Sequence, residues 1–134
     1  MEEDGESTKA TKPPPPSAVL LIERDSLVRE GLRALLSVWG FEVRSGADPS
    51  EALADPAGDM VPTVAILSTP GGDAAIGVEW IAALRLGYGG LPIILAADES
   101  RGTLGLPGCV HVGWPVKAAQ LRSAVTEITT ANRA

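Results

Sequence analysis

Four short apolar runs, the first too continuous for a strand with one wet face, constrain most strongly what this chain can fold into. They are Ala18-Val19-Leu20-Leu21-Ile22, Val64-Ala65-Ile66-Leu67, Ile93-Ile94-Leu95-Ala96 and Cys109-Val110-His111-Val112. A strand reads this way when both faces are covered, because neither set of alternating side chains meets water. Phe41-Glu42-Val43-Arg44 alternates as a fifth, shorter strand. The segments between them carry helical period. Leu27, Val28, Leu32, Leu35, Leu36 and Trp39 fall on one side of a helix, and Gly40 sits where it should stop. Asp48-Pro49-Ser50-Glu51 offers an N-cap, a proline at the first helical position and an acid at the third, opening a helix over residues 51–54. Val78, Ile81, Ala82 and Leu84 mark another helix closed by Gly87, and Leu121, Val125 and Ile128 stripe a last one.

Strands alternating with helices imply an α/β fold with a parallel sheet, helices on both faces and right-handed crossovers. The order expected is that of the flavodoxin-like, doubly wound five-stranded sheet, whose sites lie at the carboxyl ends of the strands. The fourth crossover has only residues 98–108, with Gly102, Gly105, Pro107 and Gly108 among them. A parallel crossover needs roughly ten to twelve residues. The fourth helix is therefore expected to be shortened or lost.

The chain's 134 residues suit one domain. Residues 1–17 are acidic, then rich in Lys and Thr, then a run of four prolines at 13–16. That composition predicts a disordered tail ending in a polyproline II spacer, with residues 18–130 as the folded domain. The tail holds four acids against two lysines, so −4 of the net charge of −6 belongs to the rest. With no basic stripe, nucleic-acid binding is not expected. Nor is membrane insertion, since the uncharged stretch 60–72 is broken by two prolines and two glycines. One cysteine and no secretory leader at the acidic N-terminus fit the cytoplasm. Cys109 is read as a small buried hydrophobe and His111 as a structural histidine. Trp80 and Trp114 are candidate anchors for a partner.

These local sequences resemble the receiver domain of bacterial two-component response regulators and hybrid histidine kinases. Ala18-Val19-Leu20-Leu21-Ile22-Glu23-Arg24-Asp25-Ser26-Leu27-Val28-Arg29-Glu30-Gly31-Leu32 looks like its opening. Pro70-Gly71-Gly72, Gly77-Val78-Glu79-Trp80-Ile81 and Leu91-Pro92-Ile93-Ile94-Leu95 are similar to its third loop and helix and fourth strand. Trp114-Pro115 stands where the family has Lys-Pro. The resemblance covers roughly residues 18–130. It implies that two acids after the first strand hold Mg²⁺ beside an acceptor aspartate. Those positions read Glu23 and Arg24, with Asp25 next. The acceptor reads Ser68 counted along the strand, or Ile66 if Pro70-Gly71-Gly72 is the anchor, and no acid lies between Asp59 and Asp73. The Thr/Ser that grips the phosphoryl group reads Ala97, the lysine reads Trp114 and the aromatic switch reads His111.

The resemblance thus implies a degenerate, pseudo-receiver site. With an arginine in the acid pair and no acceptor carboxylate, Mg²⁺ gains too little to shed its water. A serine hydroxyl without a base is a poor nucleophile. No metal, cofactor or enzymatic activity is expected. Arg24 is expected to pair with Glu23 or Asp25 and, with Trp114, to close the site. The function implied is phosphorylation-independent protein–protein interaction in phosphorelay signalling. Its partner would be a histidine kinase, a response regulator, an output protein or a second copy. Two other readings stay open: a phosphate-accepting receiver using Glu23, Asp25 or Asp73, and a small-ligand or anion sensor at the carboxyl-end crevice near Ser68.

Overall fold

The computed structural model describes residues 18–54, 61–98 and 108–133. The tail at 1–17 and the expected loss of a helix within 99–107 lie outside the described residues. The strands are β1 (Ala18–Glu23), β2 (Glu42–Gly46), β3 (Val64–Ser68), β4 (Ile93–Ala96) and β5 (Cys109–Val112). The helices are α1 (Ser26–Val38), α2 (Pro49–Leu53), α3 (Ala74–Gly87) and α4 (Ala118–Arg133), with a 3-10 turn at Pro70–Gly72. All strand pairs are parallel, in the order β2-β1-β3-β4-β5. This is the flavodoxin-like doubly wound sheet expected from the alternation of apolar runs and helical segments.

Alternation along each strand divides the core in two. Val19, Leu21, Ile66, Ile94 and Val112 face α1 and α4, packing on Leu32, Leu36, Leu121, Val125 and Ile128. Leu20, Ile22, Ala65, Leu67, Ile93 and Leu95 face the other way, onto Ala52 of α2 and Ile81 and Leu84 of α3. Burial on both faces explains why the runs of β1, β3 and β4 read as continuous rather than alternating, whereas β5, at the sheet edge, is only partly buried up to Val112. With β1 between β2 and β3, successive connections leave the sheet on opposite sides, and the crevice of such a fold opens at the carboxyl ends of β1 and β3.

Local chemistry sets the helix ends. Asp25 Oδ1 accepts from the backbone N–H groups of Leu27 and Val28 at 2.9 and 3.2 Å, capping α1. Gly40 ends that helix with φ 97°, a conformation costly for residues with a Cβ, while the Phe41 N–H reaches the Leu36 carbonyl. The expected cap forms at α2, where Asp48 Oδ1 accepts from Glu51 N at 2.8 Å, while Glu51 Oε1 reaches past the cap residue to accept from Ala47 N at 2.6 Å.

Three local expectations are corrected. β2 runs two residues past Arg44, to Gly46. Arg44 is buried because its guanidinium Nη2 donates to the Leu53 carbonyl at the end of α2, where a helix leaves its last acceptors unsatisfied. In α3, Val78 and Ala82 are exposed, and the buried face is Gly77, Ile81 and Leu84. Gly77 sets this rotation, since a Cβ there would stand 2.7 Å from Leu95 Cδ1. In α1, Leu27 is 83% exposed and Val28 is also exposed, because the first turn overhangs the sheet instead of covering it.

Candidate functional site

A crevice of about 550 Å³ opens at the carboxyl ends of the central strands. Its polar floor is Glu23 from the end of β1 and Ser68 from the end of β3, which are register partners across the sheet. Arg24, Asp25 and Val28 come from the β1–α1 connection and first turn, Thr69, Pro70 and Gly71 from the loop after β3, and Trp114, Pro115 and Val116 from the loop after β5. One end of the fold therefore gathers Glu23, Arg24, Asp25, Ser68 and Trp114.

Register settles which residue stands at the end of β3. Ser68 pairs with Glu23 and Ala96 at the carboxyl edge. Ile66 pairs with Leu21 and Ile94 and is wholly buried in the core, so it cannot face the crevice. Ser68 is only 2% exposed, and its hydroxyl makes no hydrogen bond among the described residues. Thr69 beside it is tied down, its N–H at 3.3 Å and its hydroxyl at 3.4 Å from the Ala96 carbonyl.

The acids are held by backbone, not by the arginine. Glu23 Oε2 accepts from Asp25 N at 2.9 Å, and Asp25 Oδ1 is the cap of α1. The ion pair expected of Arg24 is not formed among the described residues; Arg24 stays exposed at the crevice mouth. Tight local turns explain this, since N–H groups two and three residues away reach the carboxylates without ordering a long side chain. The cation that does bind here is Arg29, whose Nη1 donates to the Glu23 carbonyl at 2.7 Å. It lies six residues on, and no motif in the sequence pointed to it.

This donor set does not fit Mg²⁺, which demands near-octahedral oxygen geometry and usually one or two carboxylates with phosphate oxygens. Glu23 and Asp25 each give one oxygen to backbone N–H groups, the guanidinium of Arg24 shares the crevice with them, and β3 contributes only a neutral hydroxyl.

Trp114 forms one wall. It is 39% exposed, and its peptide bond to Pro115 is cis. The indole lies directly over Gly72, where a Cβ would meet Trp114 Cδ2 and Cε3 at 3.1 Å. Gly72 also has φ 76°, and its carbonyl accepts from Asp98 N at 2.9 Å. The loop after β3 is thus pinned between the end of β4 and the tryptophan. Arg24 and Trp114 line the crevice without closing it, contrary to the expectation of a sealed site.

Two expected positions lie apart. Ala97 is fully buried in the core facing α3 and does not line the crevice. His111 sits on β5 with Nε2 at 3.1 Å from the Ala97 carbonyl. That carbonyl can only accept, so Nε2 carries the proton. His111 borders a second, shallower groove of about 430 Å³ toward α4. Cys109 is half-buried, and burial pushes its thiol above the ordinary 9.0 although Arg85 pulls it down. Such a thiol is a packing group rather than a nucleophile. Trp80 is half-buried against α3's side of the core, so of the two tryptophans proposed as anchors only Trp114 is well exposed.

No family model and no curated protein matches the sequence. Solved structures do match. Chemotaxis protein CheY4 of Vibrio cholerae is 22% identical over 84% of this chain and 98% of its own, with a TM-score of 0.67. A response regulator receiver protein from Sinorhizobium medicae is 18% identical, covering 87% of this chain and 96% of that one, with a TM-score of 0.68. A response regulator receiver domain protein from Clostridium thermocellum is 17% identical, covering 87% and 97%, also with a TM-score of 0.68.

Proposed function

We propose that this chain, which has the fold of the response-regulator receiver domain, is a phosphorylation-independent interaction module of two-component signalling, with no catalytic step of its own. The observation that carries the reading is the register at the carboxyl edge. Ser68, not an acid, stands opposite Glu23 at the end of β3. A serine hydroxyl attacks a phosphoryl donor only when a base takes its proton. The carboxylates of the crevice, Glu23 and Asp25, each have one oxygen held by backbone N–H groups, and neither is hydrogen-bonded to the Ser68 hydroxyl. On the sequence resemblance Trp114 takes the place of the family's phosphate-pairing lysine, and its apolar ring lines the crevice. The proposed partners are other signalling proteins: a histidine kinase, a response regulator, an output protein or a second copy.

The open crevice is the specific observation that favours a second reading, a small-ligand or anion sensor near Ser68. Its volume of about 550 Å³ lies within the range of small-molecule sites, roughly 300–1,000 Å³.

Acetyl phosphate separates these readings from phosphotransfer. The intact mass is expected to stay unchanged after incubation with and without Mg²⁺. A single base-labile phosphoryl group that disappears on Glu23→Gln, Asp25→Asn or Asp73→Asn would show a non-standard acceptor and overturn the proposal.

A further inference from the structure

We infer that the crevice is a docking groove for the Lys- and Pro-rich segment 9–16 of a second copy of this chain. The inference rests on reading the crevice as a protein-binding site and names the partner. Three observations carry it.

The first is the chemistry of the walls. Trp114, Pro115, Pro70 and Val28 put a flat aromatic ring, two pyrrolidines and an exposed aliphatic around one opening. Aromatic-lined grooves accept polyproline II segments because the helix is preformed and loses little entropy on binding. The chain carries one such run, the four prolines at 13–16.

The second is charge. Lys12 immediately precedes the prolines and Lys9 lies three residues earlier. The crevice offers Glu23 on its floor and the exposed Asp25 at its rim, each with a carboxylate oxygen beyond the one taken by backbone N–H groups. A basic flank seated beside Asp25 leaves the prolines against Trp114. Arg24 at the mouth opposes a lysine, so the attraction is modest and screened by salt.

The third is reach, which decides between the chain's own segment and a copy's. The segment joins the fold at Ala18, the amino end of β1, and the crevice lies at the Glu23 end, five residues away. At about 3.3 Å per residue that separation is roughly 17 Å. Pro13 precedes Ala18 by five residues. A polyproline path at about 3.1 Å per residue extends only roughly 15 Å. β1 is also central, flanked by β2 and β3 and covered on both faces, so the path must detour round a helix. The four prolines fall short of their own crevice; Lys9, nine residues before Ala18, has the length to approach it, but seating the lysines and the prolines together takes a neighbour's crevice. Reciprocal exchange would give a two-fold dimer.

A fluorescein-labelled peptide of residues 7–17 tests this by anisotropy against the full chain carrying Pro13→Ser, Pro14→Ser, Pro15→Ser and Pro16→Ser. Saturable binding is expected, weakened at least about tenfold by Trp114→Ala, the loss typical of a hot-spot aromatic. Should Trp114→Ala fail to fold, Trp114→Phe and a peptide with Lys9→Glu and Lys12→Glu replace it, and both must weaken binding. In sedimentation velocity the unmodified chain should self-associate with rising concentration, and the four-proline variant should not. Absent binding, binding indifferent to Trp114 or to the lysines, or an unmodified chain that stays monomeric would each overturn the inference. A small molecule that fills the crevice without displacing the peptide would do the same. None of these outcomes bears on phosphotransfer: a failed peptide with an unchanged mass after acetyl phosphate removes this partner and leaves the proposed function standing.

Discussion

At the scale of single residues, the carboxyl edge is built from side chains answering nearby backbone. Asp25 directly follows the two positions that the resemblance assigns to metal-binding acids, yet its Oδ1 satisfies two N–H groups at the start of α1. Asp25→Ala should therefore lower stability by about 1 kcal/mol, the usual worth of an N-cap, with or without Mg²⁺. Urea melts in both buffers would read it, and a loss that appears only with Mg²⁺ would instead mark Asp25 as a ligand. Cys109 gives a pH prediction. Burial raises its thiol pKa above 9.0, so the folded state holds the proton longer than the unfolded chain. Its contribution to stability is then constant below 9.0 and declines as pH rises through the folded value. Cys109→Ser should flatten that alkaline decline in melts between pH 8 and 11, and alkylation of the folded wild type at pH 7 should be slow.

Among the elements, α2 shows how tightly a short helix can be fixed. Five residues cannot hold a helix by propensity. The Asp48 cap, the Glu51 carboxylate on Ala47 N, a buried guanidinium from β2 on the Leu53 carbonyl and close approach to Gly46 hold it instead. A Cβ on Gly46 would lie 2.4 Å from Ala52 N and 2.7 Å from Ala52 Cα, both unyielding backbone. Gly46→Ala should cost about 3 kcal/mol, at the upper end for overpacking. Gly72→Ala acts on a different element, the 3-10 turn after β3. With φ 76° and the indole at 3.1 Å, a methyl there must displace Trp114, so tryptophan emission should shift to the red as the ring moves toward water. An unshifted spectrum would show that the turn and the tryptophan are not coupled.

For the whole molecule, the two core layers are formed, among the described residues, by side chains between Val19 and Ile128. Deleting residues 1–17 should therefore leave the melting temperature within about 2–4 °C of the parent's, the shift produced by roughly 0.5 kcal/mol in a domain of this size. Differential scanning calorimetry of the dilute protein measures this apart from any association. A larger fall would place part of the core's support in the first seventeen residues. Among the described residues no helix is long and apolar enough to cross a membrane.

Much of the fold was legible because its signals are local. Runs such as Ile93–Ala96 and Cys109–Val112 name their own strands, Gly40 and Asp48 announce helix ends, and strict alternation with helices leaves a doubly wound parallel sheet as the consistent arrangement. The sequence by itself also determined that no acid could stand at the end of β3. What it left open depended on register and rotation, which arise only when elements pack. Ser68 rather than Ile66 reached the edge because β3 pairs Ser68 with Glu23. Gly77 rather than Val78 turned inward because α3 must clear Leu95. Glu23 and Asp25 took backbone partners, leaving Arg24 exposed, because short turns bring N–H groups closer than an arginine can be held. The crevice itself, with Trp114 standing over Gly72, joins residues more than forty positions apart, and only the folded chain brings them together.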